Sequence, residues 1–419
     1  MSRPALLLGS LVLLTPACAP KWRSATLVDS RAVARALHDP AELTAPFDPA
    51  SVPDFEPPKK VRPCCAFGVD LKAKVGPVPM PLYENENIRS PEDIGPHGYD
   101  KGEMTKENNG LIYTCRGGFI DLAHVRDTAD STLYLAMQIA RGLPGAITIQ
   151  MPDQGTKRRI MIKPLPEGLI ARHGRWTVAT AIASYIAYDL SIWHEVVTWY
   201  GWESTMGISE RLSAFSPEDL YSNILGINLA AGVILEREAS SREQYDQAME
   251  LWIREAMRRL GAVKQDQGRK AMKAVDGLWW DSSKRLPDWK LVTHRDLHID
   301  TPVPPWIVAE VVPDAPGVAQ MCDKQPRPLP LEIEDKIGST KIEDLVEIHF
   351  EFSDWVPKEF PLPAAKGQAV QRTDIPKIVE DIRNQGSKDL GPDFDQPKKG
   401  AGEAKKDGEA EKPAEAPAP

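Results

Sequence analysis

TVATAIASYIAYDLSIWHEVVTWY, from Thr177 to Tyr200, is apolar nearly all round at a helical period, and Gly201 follows as its stop. A helix without a polar face belongs inside a protein, so this stretch predicts a central helix with other elements wrapped around it. Its last two turns carry the exception. Glu195 shares a stripe with Tyr188, Ile192 and Trp199, and His194 shares one with Ala187, Leu190 and Val197. Neither side chain has a polar face to occupy, and a buried carboxylate needs a hydrogen-bonded partner or a metal to offset its desolvation.

Outward from that helix, Phe119 to Arg141 sets Phe119, Leu122, Ala123, Ala129, Leu133, Met137 and Ala140 on one stripe, with Gly142 and Pro144 closing it. A second helix is expected there. Ala146 to Met151 and Arg158 to Lys163 read as two short strands around a turn containing Asp153, Gln154 and Gly155. Ser216-Pro217-Glu218-Asp219 has the pattern of a helix start, with Ser at the cap, Pro at the first position and acids in the first turn. That helix is expected to reach about Arg237. Arg242 to Leu260 predicts an amphipathic helix with Tyr245, Met249, Trp252, Ile253 and Met257 inside. After Trp279 the period changes to two, so Leu291 to Asp300, Trp306 to Val312 and Asp344 to Phe352 are expected as strands. Helices first and strands later make an α+β fold: a mainly helical core with a short β-hairpin and a C-terminal β-rich part.

The two ends of the 419-residue chain read differently from its middle. Arg3 and the apolar run from Ala5 to Leu14 form a secretory signal too short to span a bilayer. Leu14-Thr15-Pro16-Ala17-Cys18 resembles a bacterial lipobox, which implies removal of a signal peptide at residues 1–17 and lipidation of Cys18. Prolines at 40, 46, 49, 53, 57, 58 and 63 favour an extended spacer, so residues 18–60 are expected to link the lipid anchor to the body. Ala19 lacks the acidic character of an inner-membrane retention signal, which points to the periplasmic face of the outer membrane. The folded body is expected over residues 61–363 and a polar tail over 364–419, disordered from about 386. Lys and Arg number 51 against 60 Asp and Glu, and a net charge of −9 argues against a nucleic-acid partner.

Candidate chemistry gathers on the first two helices. Asp121, His124, Asp127 and Thr128 fall on one face of the Phe119 helix and aim nitrogen and oxygen donors one way. The site read from these residues has His124, His194, Asp127 and Asp121 as ligands of a divalent metal such as zinc, with Glu195 taking the proton from bound water. His-Glu is the first half of a zincin helix, but four residues after His194 stands Thr198, which excludes that protease form. Glu218 and Asp219 are accounted for by the helix start, while Asn223 in an apolar run is expected to bond a buried partner. His294, Asp296, His298 and Asp300 alternate on what reads as the wet face of a strand. His294 and His298 would lie roughly 13 Å apart there, too far to share an ion.

Lipidation of Cys18 leaves Cys64, Cys65, Cys115 and Cys322, an even number in an oxidising compartment. Bonds from Cys64 or Cys65 to Cys115 or Cys322 are expected, because adjacent cysteines seldom bond each other. A rival use is a thiol hydrolase: Cys115 precedes Gly117-Gly118 at a helix start, where the dipole lowers a thiol pKa. Cys115-Arg-Gly-Gly-Phe119 resembles the nucleophile segment of cell-wall cysteine peptidases, although the strands that follow carry no base histidine.

Arg62-Pro-Cys-Cys-Ala-Phe-Gly68, Tyr113-Thr-Cys-Arg-Gly-Gly-Phe-Ile-Asp-Leu-Ala-His-Val-Arg-Asp127, Trp193-His-Glu-Val-Val-Thr-Trp-Tyr-Gly201 and Ser216-Pro-Glu-Asp-Leu-Tyr-Ser-Asn223 together resemble a bacterial lipoprotein family of unknown function, DUF4056. The resemblance covers most of the body and implies an envelope lipoprotein with no stated activity. Two classes of function stay open. One is metal-assisted hydrolysis of an envelope substrate; the other is a non-catalytic structural or interaction lipoprotein whose polar groups form a buried network fixing helix register.

Overall fold

The computed structural model describes residues 54–396, except 60, 64, 76–77, 86, 102–106, 204–208 and 323–326. The signal peptide, Cys18, most of the spacer, Cys64 and the tail beyond 396 lie outside the described residues. An antiparallel pair, β1 (Leu71–Val75) and β2 (Val78–Asn85), precedes a tight hairpin, β3 (Leu111–Thr114) and β4 (Gly118–Asp121), which runs directly into α1 (Leu122–Gly142). Then come β5 (Ile147–Gln154), β6 (Thr156–Ile162), α2 (Arg175–Trp199), α3 (Asp219–Leu235), α4 (Arg242–Leu260) and α5 (Gln265–Ala274). After a stretch holding only short elements, β7 (Val346–Phe352), β8 (Ala369–Gln371) and α6 (Ile375–Leu390) end the described chain. The class is α+β, as the order of periods implied.

α2 is the central helix, buried at every residue from Val178 to Trp199 except Tyr185. One side packs on α1 and α3. The other carries Trp193 onto an antiparallel sheet of order β8-β7-β6-β5, where its ring stacks on Phe350 with centroids 4.1 Å apart. Trp193 Nε1 also donates to Thr156 Oγ1 at 2.8 Å, so a buried indole is both packed and satisfied. Gly201 stops the helix at φ 94°, its N–H donating to Thr198 O while Trp202 N–H reaches Val197 O. α1 and α3 touch because Gly226 has no Cβ; one there would fall on Val125 O and Thr128 Oγ1. A second cluster, with Phe67, Tyr113, Phe119, Trp279, Trp280 and Trp306, joins β1 and the β3–β4 hairpin to α5. Among the described residues no helix is long and apolar enough to cross a membrane.

Four expectations are corrected. Phe119 to Asp121 is strand rather than first helical turn, because Gly118 at φ 69° folds the chain back on β3 and Asp121 caps α1 through Ala123 N–H. α3 starts at Asp219, and Ser216 does not cap it: Ser216 N–H donates to Asp219 Oδ2 at 2.6 Å and its hydroxyl to Ser213 O. Leu291 to Asp300 and Trp306 to Val312 are not strands. The N–H groups of residues 293 to 296 go to carbonyls of Trp279, Phe394 and Phe215, while Pro302, Pro304 and Pro305 remove donors and Val308–Val311 is a helical turn. Finally, the fold continues past residue 363 and past 386. β8 adds to the sheet edge, and α6 buries Ile375, Ile378, Val379 and Ile382, an i, i+3, i+4, i+7 stripe inside a polar sequence.

Candidate functional site

His124 stands in the first turn of α1, and His194 and Glu195 in the last turns of α2. The helices bring them together: one donor atom from each lies within 4.8 Å of the others. The two imidazoles are nearly perpendicular with centroids 6.3 Å apart, and Trp202, placed by the Gly201 stop, stands 5.8 Å from the His194 ring. His124 Nδ1 is 3.4 Å from Asp219 Oδ1 and 3.9 Å from Glu195 Oε1. Glu195 Oε2 accepts the Phe215 N–H at 2.9 Å. Phe215 itself sits at φ 56°, a left-handed conformation that costs a non-glycine residue energy, so the turn before α3 is held in shape by the carboxylate. The open side is a pocket of about 420 Å³, solvent-exposed space included, lined by His124, His194, Asp127, Gln154, Arg158 and Asn223 among others.

Burial, with His124 and Arg158 nearby, pushes the His194 pKa down to about 3. At neutral pH its imidazole is therefore uncharged, the form that ligates metals. Glu195 shifts upward because burial outweighs His124 and the Phe215 N–H. Glu218 and Asp219 lie well above the carboxylate range, first through burial and then through repulsion from Asp121 and Glu195. All four acids are at most 2 % exposed. The guanidinium of Arg295 faces them, with burial lowering its pKa to about 9. Its terminal nitrogens, however, donate to the carbonyls of Leu212, Ala214 and Trp289 rather than to any carboxylate.

Of the residues expected at the site, His124, His194 and Glu195 converge, and two others are placed otherwise. Asp127 reaches the pocket rim, but Oδ2 accepts the Arg62 backbone N–H and Oδ1 its guanidinium, both at 2.7 Å. An ion pair has taken the oxygens that were expected to ligate. Asp121 is outside the three-residue donor set: Oδ1 caps α1 through Ala123 N–H, and Oδ2 accepts from Cys65 N–H at 3.0 Å. Asn223 lines the pocket, and its Nδ2 has no hydrogen-bond partner among the described residues. The segment after Leu291 is no continuous wet face either, since His294 and Asp296 are buried while His298 and Asp300 are exposed. Cys115 is disulfide-bonded to Cys322, which removes the thiol nucleophile; Cys65 is unbonded and its partner role falls away.

Sequence reasoning missed Glu218 and Asp219, because a helix-start pattern explained them locally. A discriminating signal was available. No Lys, Arg or His occurs from residue 212 to 236, and acids in so apolar a run are placed for burial rather than for a solvated helix end.

The chain matches the DUF4056 family, described as protein of unknown function, over residues 52–309, and it belongs to that family. The matched region holds every residue of the site. No curated protein and no solved structure matches the chain.

Proposed function

We propose that this chain is a metal-dependent hydrolase whose ion sits among His124, His194 and Glu195 on the floor of the pocket. One observation carries the reading: two imidazoles and a carboxylate offer donor atoms within 4.8 Å of one another beside a solvent-reachable void. Around zinc, with bonds of about 2.0–2.1 Å, tetrahedral donors lie roughly 3.3 Å apart, so closure on the order of an ångström completes the set. Asp219, against His124 Nδ1, orients that imidazole as carboxylates orient metal-bound histidines. His124 and His194 would hold the ion, which would supply an activated water; Glu195 Oε1, 3.9 Å from His124 Nδ1, is the base that would take its proton, and Arg158 lines the wall of the same pocket. The signal and lipobox add the location: an envelope substrate, with the chain held through Cys18 to the outer membrane and no nucleic-acid partner.

Elemental analysis of protein purified without added metal tests the centre. One equivalent is expected in the wild type and none in His194→Gln, with the variant folded. Substoichiometric metal in the wild type, with unaltered folding in His194→Gln, overturns the hydrolase; failure of the variant to fold without any metal in the parent supports a purely structural network. The location is tested separately by mass spectrometry of the mature N-terminus, where a diacylated Cys18 is expected and an unmodified terminus elsewhere rejects the anchor.

A further inference from the structure

Arg158 occupies a strand position that calls for an apolar side chain. Along β6, Thr156, Arg158, Ile160 and Ile162 turn inward while Lys157 and Arg159 turn out, and across the sheet Arg158 is in register with Met151 and Phe350. It is 4 % exposed and forms no ion pair among the described residues. Its Nε and Nη2 donate to Pro152 O at 2.9 and 2.7 Å, and Nη1 donates to Gln154 Oε1 at 2.8 Å. These neutral acceptors leave two of the guanidinium's five N–H groups unspent and the charge unpaired. Asp153, the acid whose field it feels, is exposed near the end of β5. Burial brings the Arg158 pKa down to about 10, so the cation persists at neutral pH. Asn223 is the second observation. It is 3 % exposed, it lines the same pocket as Arg158, His124 and His194, and its Nδ2 has no hydrogen-bond partner among the described residues. Asp127, the acid on that lining, gives its oxygens to Arg62. Two buried donors from β6 and α3 thus border one void without a matching acceptor, and both costs fall when an anion enters.

We propose that this pocket binds an oxyanion, a carboxylate or phosphate group carried by the substrate, with Arg158 supplying the charge and Asn223 Nδ2 a further N–H. The proposal names the substrate class of the hydrolase and rests on that reading for the reaction, whereas the anion subsite stands on its own donors. A guanidinium suits this task because its fixed fork of N–H groups matches the oxygens of a carboxylate or phosphate. Holding the β5–β6 turn through Pro152 O does not account for the residue, since a neutral donor there would do so without burying a cation.

The test is isothermal titration calorimetry of the full chain with inorganic phosphate and, separately, with acetate, which tells the two oxyanions apart. At least one of them is expected to bind at one per chain, both in the wild type and in metal-free His194→Gln. Affinity for it should fall at least about tenfold in folded Arg158→Gln, the scale of a lost charge-assisted contact. Equal affinity in folded Arg158→Gln, or binding of neither anion to the wild type, overturns the subsite. Binding lost in His194→Gln but kept in Arg158→Gln puts the anion on the metal, which overturns the subsite and leaves the hydrolase standing. Arg158-dependent binding to a wild type that holds no metal supports the subsite while the hydrolase falls. Should Arg158→Gln not fold, Asn223→Ala decides, because its Nδ2 makes no bond that the fold would lose: weakened binding supports the subsite and unchanged binding overturns it.

Discussion

α1 carries two buried acid clusters, one at its N-terminal end and one a turn or two further along, and they are built on opposite terms. Around Asp127 and Asp130 the fold supplies Arg62, whose side chain makes five hydrogen bonds: two to Glu107, one each to Asp127 and Asp130, and one to Gly98 O. Asp130 is completed by His97 Nε2 at 3.0 Å and Tyr245 OH at 3.1 Å. Burial alone would raise Asp130 and Glu107, yet Arg62 holds both below the ordinary carboxylate range. Around Asp121, Glu195, Glu218 and Asp219 no arginine is spent on the acids, and Glu195, Glu218 and Asp219 move upward instead. The closed network locks the segment before β1 and the loop before β3 onto α1 and α4. The open one has only backbone N–H groups, His124 and the nearby charge of Arg295 to offset its acids, and it adjoins the pocket. The contrast separates buried charge that the fold pairs with an arginine from buried charge that it leaves to backbone donors beside a pocket.

The largest effect is expected from breaking the closed cluster. Arg62→Leu would strand Glu107, Asp127 and Asp130, and loss of one partner of a buried charge network costs roughly 3–5 kcal/mol. Urea denaturation measures it. The pH dependence gives a second signature: depressed carboxyl pKa values stabilise the fold above the unfolded-state values and lose that contribution as pH falls through the folded ones. Wild type should therefore lose stability steeply in the acid range below about pH 4, and Arg62→Leu should show a shallower acid limb. A cost under about 1 kcal/mol would erase the distinction between the clusters.

Next in size is Gly226→Ala. The added methyl meets Val125 O and Thr128 Oγ1 where α1 crosses α3, and overpacking of that kind costs roughly 2–3 kcal/mol. The same wedge separates His124 on α1 from Asp219 on α3, now 3.4 Å apart. Metal affinity is expected to fall at least about tenfold, the usual scale for disturbing a ligand's orienting carboxylate. Arg62 spans α1 and the segments before it rather than α3, so its network should keep its protection from amide exchange. Loss of that protection would show the two clusters to be one cooperative unit.

The fold was legible wherever local chemistry and burial agree. α4 begins and ends where its pattern indicated, because Ser241 accepts the Gln244 N–H and Gly261 at φ 73° closes the last turn. α2 was legible as a core helix, and the cost of burying His194 and Glu195 pointed to the site before any geometry did. Failures came where distant partners decide. Residues 293 to 296 find their acceptors in Phe215, Trp279 and Phe394, which no window of sequence contains. Glu218 and Asp219 had a sufficient local cause, and the helix start hid their burial. Asp127 shared a helix face with His124 but answers to Arg62, 65 residues earlier. α6 was lost in its own polar composition, four buried side chains being enough to dock it on a core already formed.

The smallest effect expected concerns an acid that belongs to neither cluster. Glu238 is 0 % exposed, with Oε2 accepting the Trp252 indole N–H at 2.7 Å and Oε1 without a partner. Burial pushes its pKa up to about 7, against the indole and with a little help from Glu236. A raised carboxyl pKa means that the folded chain holds the proton longer than the unfolded one, so stability declines as pH rises from about 4.5 to about 7 and levels beyond. Glu238→Gln should match wild type near pH 4 and exceed it by on the order of 2 kcal/mol at pH 8. Parallel stability curves would show that Glu238 stays charged and compensated, and would weaken the case that missing partners mark uncompensated burial. The variant should also leave the metal content unchanged. One acid between a helix end and a tryptophan can resolve its burial by keeping a proton. His124, His194 and Glu195, converging beside an open pocket with further acids buried around them, are the arrangement for which we propose a cation, and it is the number and convergence of the groups, not burial alone, that sets the two cases apart.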